Sequence, residues 1–227
     1  MAAARAALES LLRARKLDAT VVGEPAIDPA RLAPTGWPAL DSPLHGGLPR
    51  GHLSELIGAR SSGRSAVFCR IAAAAIARGE VVALVDTHDR FDPASAEAAG
   101  VDLRSLLWVR ETGNAERGLK AMHLVLQAGG FGVVAFDVAD VRGPVLRQFP
   151  HTTWLRLARV IEGGDTVALL LGADRLARSP GGVTIALEAP STGLAGEWCG
   201  TSARTRRLRG LTIRPRVISA RGWASSQ

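Results

Sequence analysis

The octapeptide GARSSGRS, Gly58 to Ser65, follows the apolar run LSELI (Leu53–Ile57) and precedes AVFCRIAAAAIARG (Ala66–Gly79), whose apolar residues recur at helical spacing. A strand, a glycine-rich turn and a helix in that order fit the phosphate-loop pattern GxxxxGK[ST]. In that pattern glycines let backbone amides converge on an anion, a lysine neutralises the terminal phosphates, and a hydroxyl ligates magnesium. Only the lysine position departs, and Arg64 stands there. A guanidinium is larger and planar, and it does not place compact charge between phosphates as an ammonium does. Gly58, Ser62, Gly63, Arg64 and Ser65 therefore read as a vestigial or weak nucleotide cradle, set against the plainer reading of a glycine turn that opens a helix.

Outward from this loop, short apolar runs alternate with helical periodicity. Strands are expected at 53–57, 81–86, 106–110, 132–137 and 166–171, and helices at 63–78, 92–99, 114–128 and 151–162. That alternation predicts an α/β fold with a mainly parallel sheet flanked by helices. After Gly181-Gly182 the pattern turns to strands alone, 183–188 and 207–218, and Pro215 in the last of these predicts a sheet edge. Residues 2–17 read as a helix with Leu8, Leu11 and Leu12 on one face, a candidate for docking on a partner, and Glu24–Pro34 as a linker. The expected divisions are 1–34 (helix and linker), 35–190 (core) and 191–227 (basic strand and tail).

The charge is unevenly spread. The chain has 28 basic and 21 acidic residues, a net +7, yet every Asp and Glu lies at or before Glu197. The tail beyond holds Arg204, Arg206, Arg207, Arg209, Arg214, Arg216 and Arg221 and no acid, so the preceding body is neutral. Such asymmetry points to a polyanion or an acidic protein surface, with a solvated, aggregation-resistant edge as the alternative. Trp198 and Trp223 flank this tail, placed to stack on a base or to pack at an interface. Two cysteines, Cys69 and Cys199, lack metal-ligand spacing, and no run of 18 uncharged apolar residues occurs. The expectation is a cytoplasmic protein with no membrane partner and no zinc site.

Longer stretches carry a family resemblance. TGWPALDSPLHGGLPRGHLSELIGARSSGRSA, Thr35 to Ala66, resembles the entry to the RecA ATPase core, VDTHDRFDPASAEAAGVDLRSLL (Val85–Leu107) its Asp-Pro helix, and GVVAFDVADV (Gly132–Val141) the strand whose last aspartate assists magnesium, here Asp137. The resemblance implies a RecA-like fold over residues 35–190, with an N-terminal helix and a C-terminal antiparallel strand extension. It also implies ATP with magnesium as the cofactor, if weakly held. Four positions depart from it: Arg64 for the lysine, His88 for the catalytic glutamate, Ser95 for the tyrosine that stacks on adenine, and Ala173 for the glutamine that senses the terminal phosphate.

A RecA-like core with weakened ATP chemistry, a leading helix, an Arg-rich strand and a closing Gly222-Trp223 is similar to the ImuA family. That likeness implies an accessory role in bacterial mutagenic repair, with RecA, an ImuB-like Y-family protein, an error-prone polymerase complex and DNA as partners. Two alternatives stay open: a DNA-stimulated ATPase in which Asp89 replaces the lost glutamate, and a RecA-like DNA-binding regulator. His45, His52, His123 and His151 are isolated in the sequence and read as surface or hydrogen-bonded residues.

Overall fold

A computed structural model describes residues 28–179, 181–188, 196–202, 204–205, 207–211 and 213–220, with the backbone alone at 188, 196–198, 207–211 and 220. Leu8, Leu11, Leu12, Arg206 and Trp223 lie outside the described residues.

The stretch expected as a linker is built into the fold from Asp28 onward. Asp28 caps a turn, Pro29–Arg31, by accepting from the Ala30 amide at 2.9 Å. Strand β1 (Leu32–Ala33) is buried and pairs antiparallel with β2 (Leu48–Pro49). Between them lies α1 (Pro38–Asp41), and here the Thr-Gly-Trp and Leu-Asp residues find their physical role. Asp41 accepts from both the amide and the hydroxyl of Thr35, at 2.8 and 2.7 Å. Gly36, at φ 73°, sits so close to the long helix below that a Cβ would lie 2.9 Å from the Cβ of Ala74.

The main elements then follow in order: β3 (Leu53–Gly58), α2 (Arg64–Ala77), β4 (Val81–Asp86), α3 (Pro93–Ala98), β5 (Leu106–Arg110), α4 (Ala115–Ala128), β6 (Phe131–Asp137), α5 (Gly143–Arg147), α6 (His151–Ile161), β7 (Val167–Gly172) and β8 (Val183–Glu188). Sequence signals explain their limits. Pro93 occupies the first turn of α3, and Asp92 caps it by accepting from the Ala94 and Ser95 amides. Asn114 caps α4 through the Arg117 amide at 2.9 Å.

Seven strands, the last in the chain being β11 (Arg214–Ala220), form one sheet in the order β11-β8-β3-β7-β6-β4-β5, and every pairing is parallel except that of β11 on β8. The central strands are apolar without alternation, as a sheet covered on both faces requires: Val82–Val85, Val133–Phe136 and Val167–Leu171 are all buried. On one face α4 and α6 pack Met122, Val125, Trp154, Leu157 and Ile161 against Ala83, Val85, Val134 and Phe136. Helix α6 reads His-Thr-Thr-Trp-Leu-Arg-Leu-Ala-Arg-Val-Ile, and its three buried positions fall on one stripe. Each of those side chains contributes about 1.5–3 kcal/mol by leaving water.

The C-terminal segment departs from its expected single strand over 207–218. Two strands with different partners stand in its place: β10 (Arg207–Leu211) pairs with β9 (Gly196–Cys199) in a separate two-stranded ribbon, and β11 (Arg214–Ala220) pairs with β8 in the main sheet. The edge placement expected from Pro215 is what the topology has.

Candidate functional site

Because β3, β4, β6 and β7 are parallel, their carboxyl ends emerge on the same side, and the register decides which side chains meet there. Asp86 is paired with Asp137 across β4 and β6, Asp137 with Leu171 across β6 and β7, and Ile57 with Gly172 across β3 and β7. The Gly58–Ser65 loop, the carboxylates of β4 and β6, and the end of β7 therefore surround one space. It is a cavity of about 210 Å³ lined by Arg60, Arg64, Ser65, His88, Arg90 and Asp137, among others. Of the loop residues singled out in the sequence, Arg64 and Ser65 face this cavity, while Gly58, Ser62 and Gly63 build the turn beneath it.

The turn is held by backbone geometry. Ser61 and Gly63 both have left-handed φ, 61° and 92°. Gly63 precedes α2 as its N-cap and brings no side chain to cap it, so the first-turn amides have no intrahelical acceptor. The Ser62 hydroxyl is buried over Gly58 without a hydrogen-bond partner. Ile213, from the short break between β10 and β11, fills the position that a Cβ on Gly63 would need. Gly63→Ala is accordingly expected to destabilise the protein by about 1–2 kcal/mol through left-handed strain, before any cost of displacing Ile213. Urea denaturation of the two proteins measures it, and equal midpoints would contradict the packing described.

Arg64 does not reach into the cavity as an extended cation. Its Nη1 donates to the carbonyl of Gly58 and, at 3.0 Å, to that of Gly172, tying the phosphate loop to the end of β7. A buried acid anchors the same region a second time, and its role is invisible in the sequence, where it is one letter of the strand before the loop. Glu55 Oε1 accepts from the amides of Leu176 and Ala177 at 2.6 and 2.8 Å, and Oε2 from the Arg178 amide and the Thr184 hydroxyl at 3.2 and 3.3 Å. The segment after β7 thus hangs on two side chains, one from β3 and one from the end of its loop.

The carboxylates are already engaged. Asp86 Oδ1 accepts from the His88 amide at 3.2 Å, and Oδ2 from the Phe91 amide and Trp108 Nε1 at 2.8 and 3.3 Å. Asp140 pairs with Arg90 at 3.3 Å and Arg60 at 3.8 Å. Asp137 accepts from the Ala139 amide at 2.9 Å, and loss of water around it, reinforced by Asp86 and Asp140 and opposed by Arg64, pushes its carboxyl up to about 6. Asp89, the expected substitute for the missing glutamate, is turned elsewhere: Arg110 grips both its oxygens, at 2.7 and 2.6 Å, and holds its pKa down. His88 does line the cavity.

A second cavity of about 490 Å³ shares Ser65, Arg90 and Asp137 with the first and is walled by Phe68, Leu84, Phe91, Ser95 and Leu171. Its size and apolar walls suit a nucleobase, but Ser95 offers no ring to stack on, and its hydroxyl is bonded to Asp92.

A family model described as the RecA N-terminal domain matches residues 16–144, more than half of the chain. The chain belongs to the RecA N-terminal domain family. RecA of Mycobacterium ulcerans is 37% identical over 117 residues, 51% of this chain and 34% of that protein. RecA of Bifidobacterium breve is 34% identical over 117 residues, and RecA of Symbiobacterium thermophilum 40% over 105, each match spanning 30% of the relative. The matched part therefore spans about a third of the length of these relatives.

For the magnesium and triphosphate implied by a RecA-family core, the fit is partial. Ser65 and Asp137 face one cavity and supply a hydroxyl and a carboxylate of the kind magnesium takes beside phosphate oxygens. The compact cation expected between the phosphates is replaced by a guanidinium bonded to two carbonyls, and Ala173 brings no polar group to the end of β7. Among the described residues no group of three or more His, Cys, Asp or Glu is arranged to hold a metal.

The basic C-terminal residues divide. Arg204, Arg214 and Arg216 are exposed, and the register of β11 places Pro215 opposite Leu187, itself opposite Gly58. Arg214 and Arg216 therefore stand two strands away from the phosphate loop, roughly 10 Å in the sheet plane. Arg207 and Arg209 belong to β10 in the separate two-stranded ribbon. No helix among the described residues is long and apolar enough to cross a membrane.

Proposed function

We propose that this protein is a RecA-related accessory protein of bacterial DNA repair. In this reading it acts in the cytoplasm during the SOS response and mutagenic translesion synthesis, contacting RecA, an ImuB-like Y-family protein with its error-prone polymerase, or DNA. Membership of the RecA N-terminal domain family supports the repair setting, and the ImuA-like ends of the chain support the translesion role. The observation that carries the adaptor reading is Arg64: the residue that should steady the transferred phosphate is bonded to Gly58 and Gly172 and acts as a structural tie. Asp89, bonded on both oxygens by Arg110, is not among the residues that line the cavity, so it is not placed to replace a catalytic base.

In this reading the sheet is a scaffold, the segment with Leu8, Leu11 and Leu12 seeks a partner, and Arg204, Arg206, Arg207, Arg209, Arg214, Arg216 and Trp223 make the contact surface. Cutting the chain after Gly200 would strip β11 from the sheet, so the test uses point variants. Alanine at Arg204, Arg214 and Arg216 is expected to weaken capture of single-stranded DNA or of an ImuB-like partner and to flatten its salt dependence. The slope against log salt should fall by about one for each phosphate that the variant no longer neutralises. Unchanged affinity for DNA, RecA and the ImuB-like protein alike would remove the surface assignment.

The second reading is a DNA-stimulated ATPase, favoured by Ser65 and Asp137 sharing one cavity. Steady-state ATP turnover with and without single-stranded DNA separates the two. The adaptor reading expects no stimulated turnover, and hydrolysis that disappears in Asp137→Asn would overturn it.

A further inference from the structure

Arg60, Arg64 and Arg90 do not face the smaller cavity alone, because Asp86, Asp137 and Asp140 line it with them. Three positive groups meet three negative ones, so an arriving anion finds no net positive field. The acids differ in what holds them. Asp86 is buried and takes the His88 and Phe91 amides and Trp108 Nε1, and Asp137 takes the Ala139 amide. Asp140 instead pairs with two of the cavity's arginines, Arg90 at 3.3 Å and Arg60 at 3.8 Å. We propose that Asp140 is a built-in counter-anion, an autoinhibitory contact that holds Arg60 and Arg90 at the rim of the cavity and keeps free anions out. The proposal rests on the reading that the ATP motor has been lost, and names what keeps the remaining cavity shut.

Three features support it. First, Asp140 is placed by the backbone and not by its ion pairs. The Val138 amide donates to the carbonyl of Leu171 on β7, and the Val141 amide to that of Val138, each at 3.0 Å, so the turn after β6 delivers the carboxylate to the rim. A tethered carboxylate competes as an intramolecular ligand, whereas a dissolved anion gives up its translational freedom to take the same place. Second, one carboxylate serves two separate segments. Arg60 belongs to the phosphate loop and pairs with Oδ1, and Arg90 lies between β4 and α3 and pairs with Oδ2, so both oxygens are in use. Third, the contact lies where it can be undone without disturbing the interior. The side chains of Arg60, Arg90 and Asp140 are 81%, 63% and 29% exposed, whereas Asp86 is buried in the sheet. Neutralising Asp140 leaves three arginines against two aspartates and frees two guanidinium groups at once.

The experiment uses the whole chain in EDTA with inorganic pyrophosphate as the probe, followed by calorimetry and by thermal shift. Asp140→Asn is expected to bind pyrophosphate at least about tenfold more tightly than the parent chain, since one charge is removed beside a multiply charged anion. Asp140→Ser is a second route to the same neutralisation, with a side chain that turns accept. Adding Arg60→Ala and Arg90→Ala to Asp140→Asn should return the affinity to that of the parent. Asp89→Asn removes an acid that pairs with Arg110 and does not line the cavity, and it is expected to leave the affinity unchanged. Equal affinity in the parent and both Asp140 variants, a gain that survives loss of the two arginines, or an equal gain in Asp89→Asn would overturn the proposal. ATP turnover is read separately with magnesium: turnover by the parent chain overturns the adaptor reading, whereas equal pyrophosphate affinities without turnover overturn the counter-anion alone.

Discussion

Glu55→Ala is expected to destabilise the protein by about 3–5 kcal/mol. The glutamate lies inside the sheet, and its carboxylate is the acceptor for three consecutive amides, of Leu176, Ala177 and Arg178, and for the Thr184 hydroxyl. Each buried donor left without a partner costs about 1–3 kcal/mol, and water entering beside Leu176 and Arg178 recovers part of that cost. Glu55→Gln retains one acceptor oxygen but brings an NH₂ against donors, so it falls between the two. Urea unfolding supplies the number, and hydrogen exchange at 173–178 supplies the place, with protection lost there first in the glutamine variant. A loss below about 1 kcal/mol in Glu55→Ala would mean that the loop is held by other contacts. The consequence for function is direct: the segment after β7 borders the phosphate loop, and its position depends on one acid in β3.

Asp137→Asn is expected to act in the opposite direction. The carboxyl is raised from 3.8 to about 6 in the folded protein, chiefly by loss of water, with Asp86 and Asp140 adding to it and Arg64 opposing. A raised acid binds its proton more tightly folded than unfolded, so the associated stability is fully present below about pH 4 and is lost as pH rises through about 6. Above that range the ionised aspartate costs the fold about 3 kcal/mol relative to a carboxyl with its ordinary value. Asparagine keeps an acceptor for the Ala139 amide and carries no charge. It should therefore raise stability at pH 8 by roughly 1–3 kcal/mol and change it little near pH 4. Denaturation of both proteins across that interval is the measurement, and a gain independent of pH would reject the assignment.

Much of this architecture is legible in residue order. Periodicity locates the parallel strands and their helices within a residue or two, because continuous apolar runs and amphipathic stripes arise from covering a sheet on both faces. The phosphate loop is legible because glycine, serine and a following helix are a local pattern. The Asp28–Pro34 stretch looks like linker by composition, yet Leu32 and Ala33 within it are buried where β1 pairs with β2, a contact that local composition does not encode. The division into β10 and β11 escapes for a related reason: the alternation of residue types continues from one to the other, and only the separate pairing of β10 with β9 divides them. Asp89 is a reasonable base by position, but Arg110, 21 residues later on the neighbouring strand, lies within reach of it and holds it.

The amino-acid sequence alone determined the class of fold, the phosphate-loop motif with its arginine, and the concentration of positive charge beyond Glu197, because each is a property of near neighbours in the chain. The tertiary structure decided what those residues do. Arg64 became a tie between Gly58 and Gly172, Glu55 became the anchor of the following loop, and Arg60 and Arg90 came to share Asp140 around one cavity. Hydrogen bonds and charge pairs act over a few ångströms, and the strand order brings within that distance groups that are about 30 to 120 residues apart in the chain.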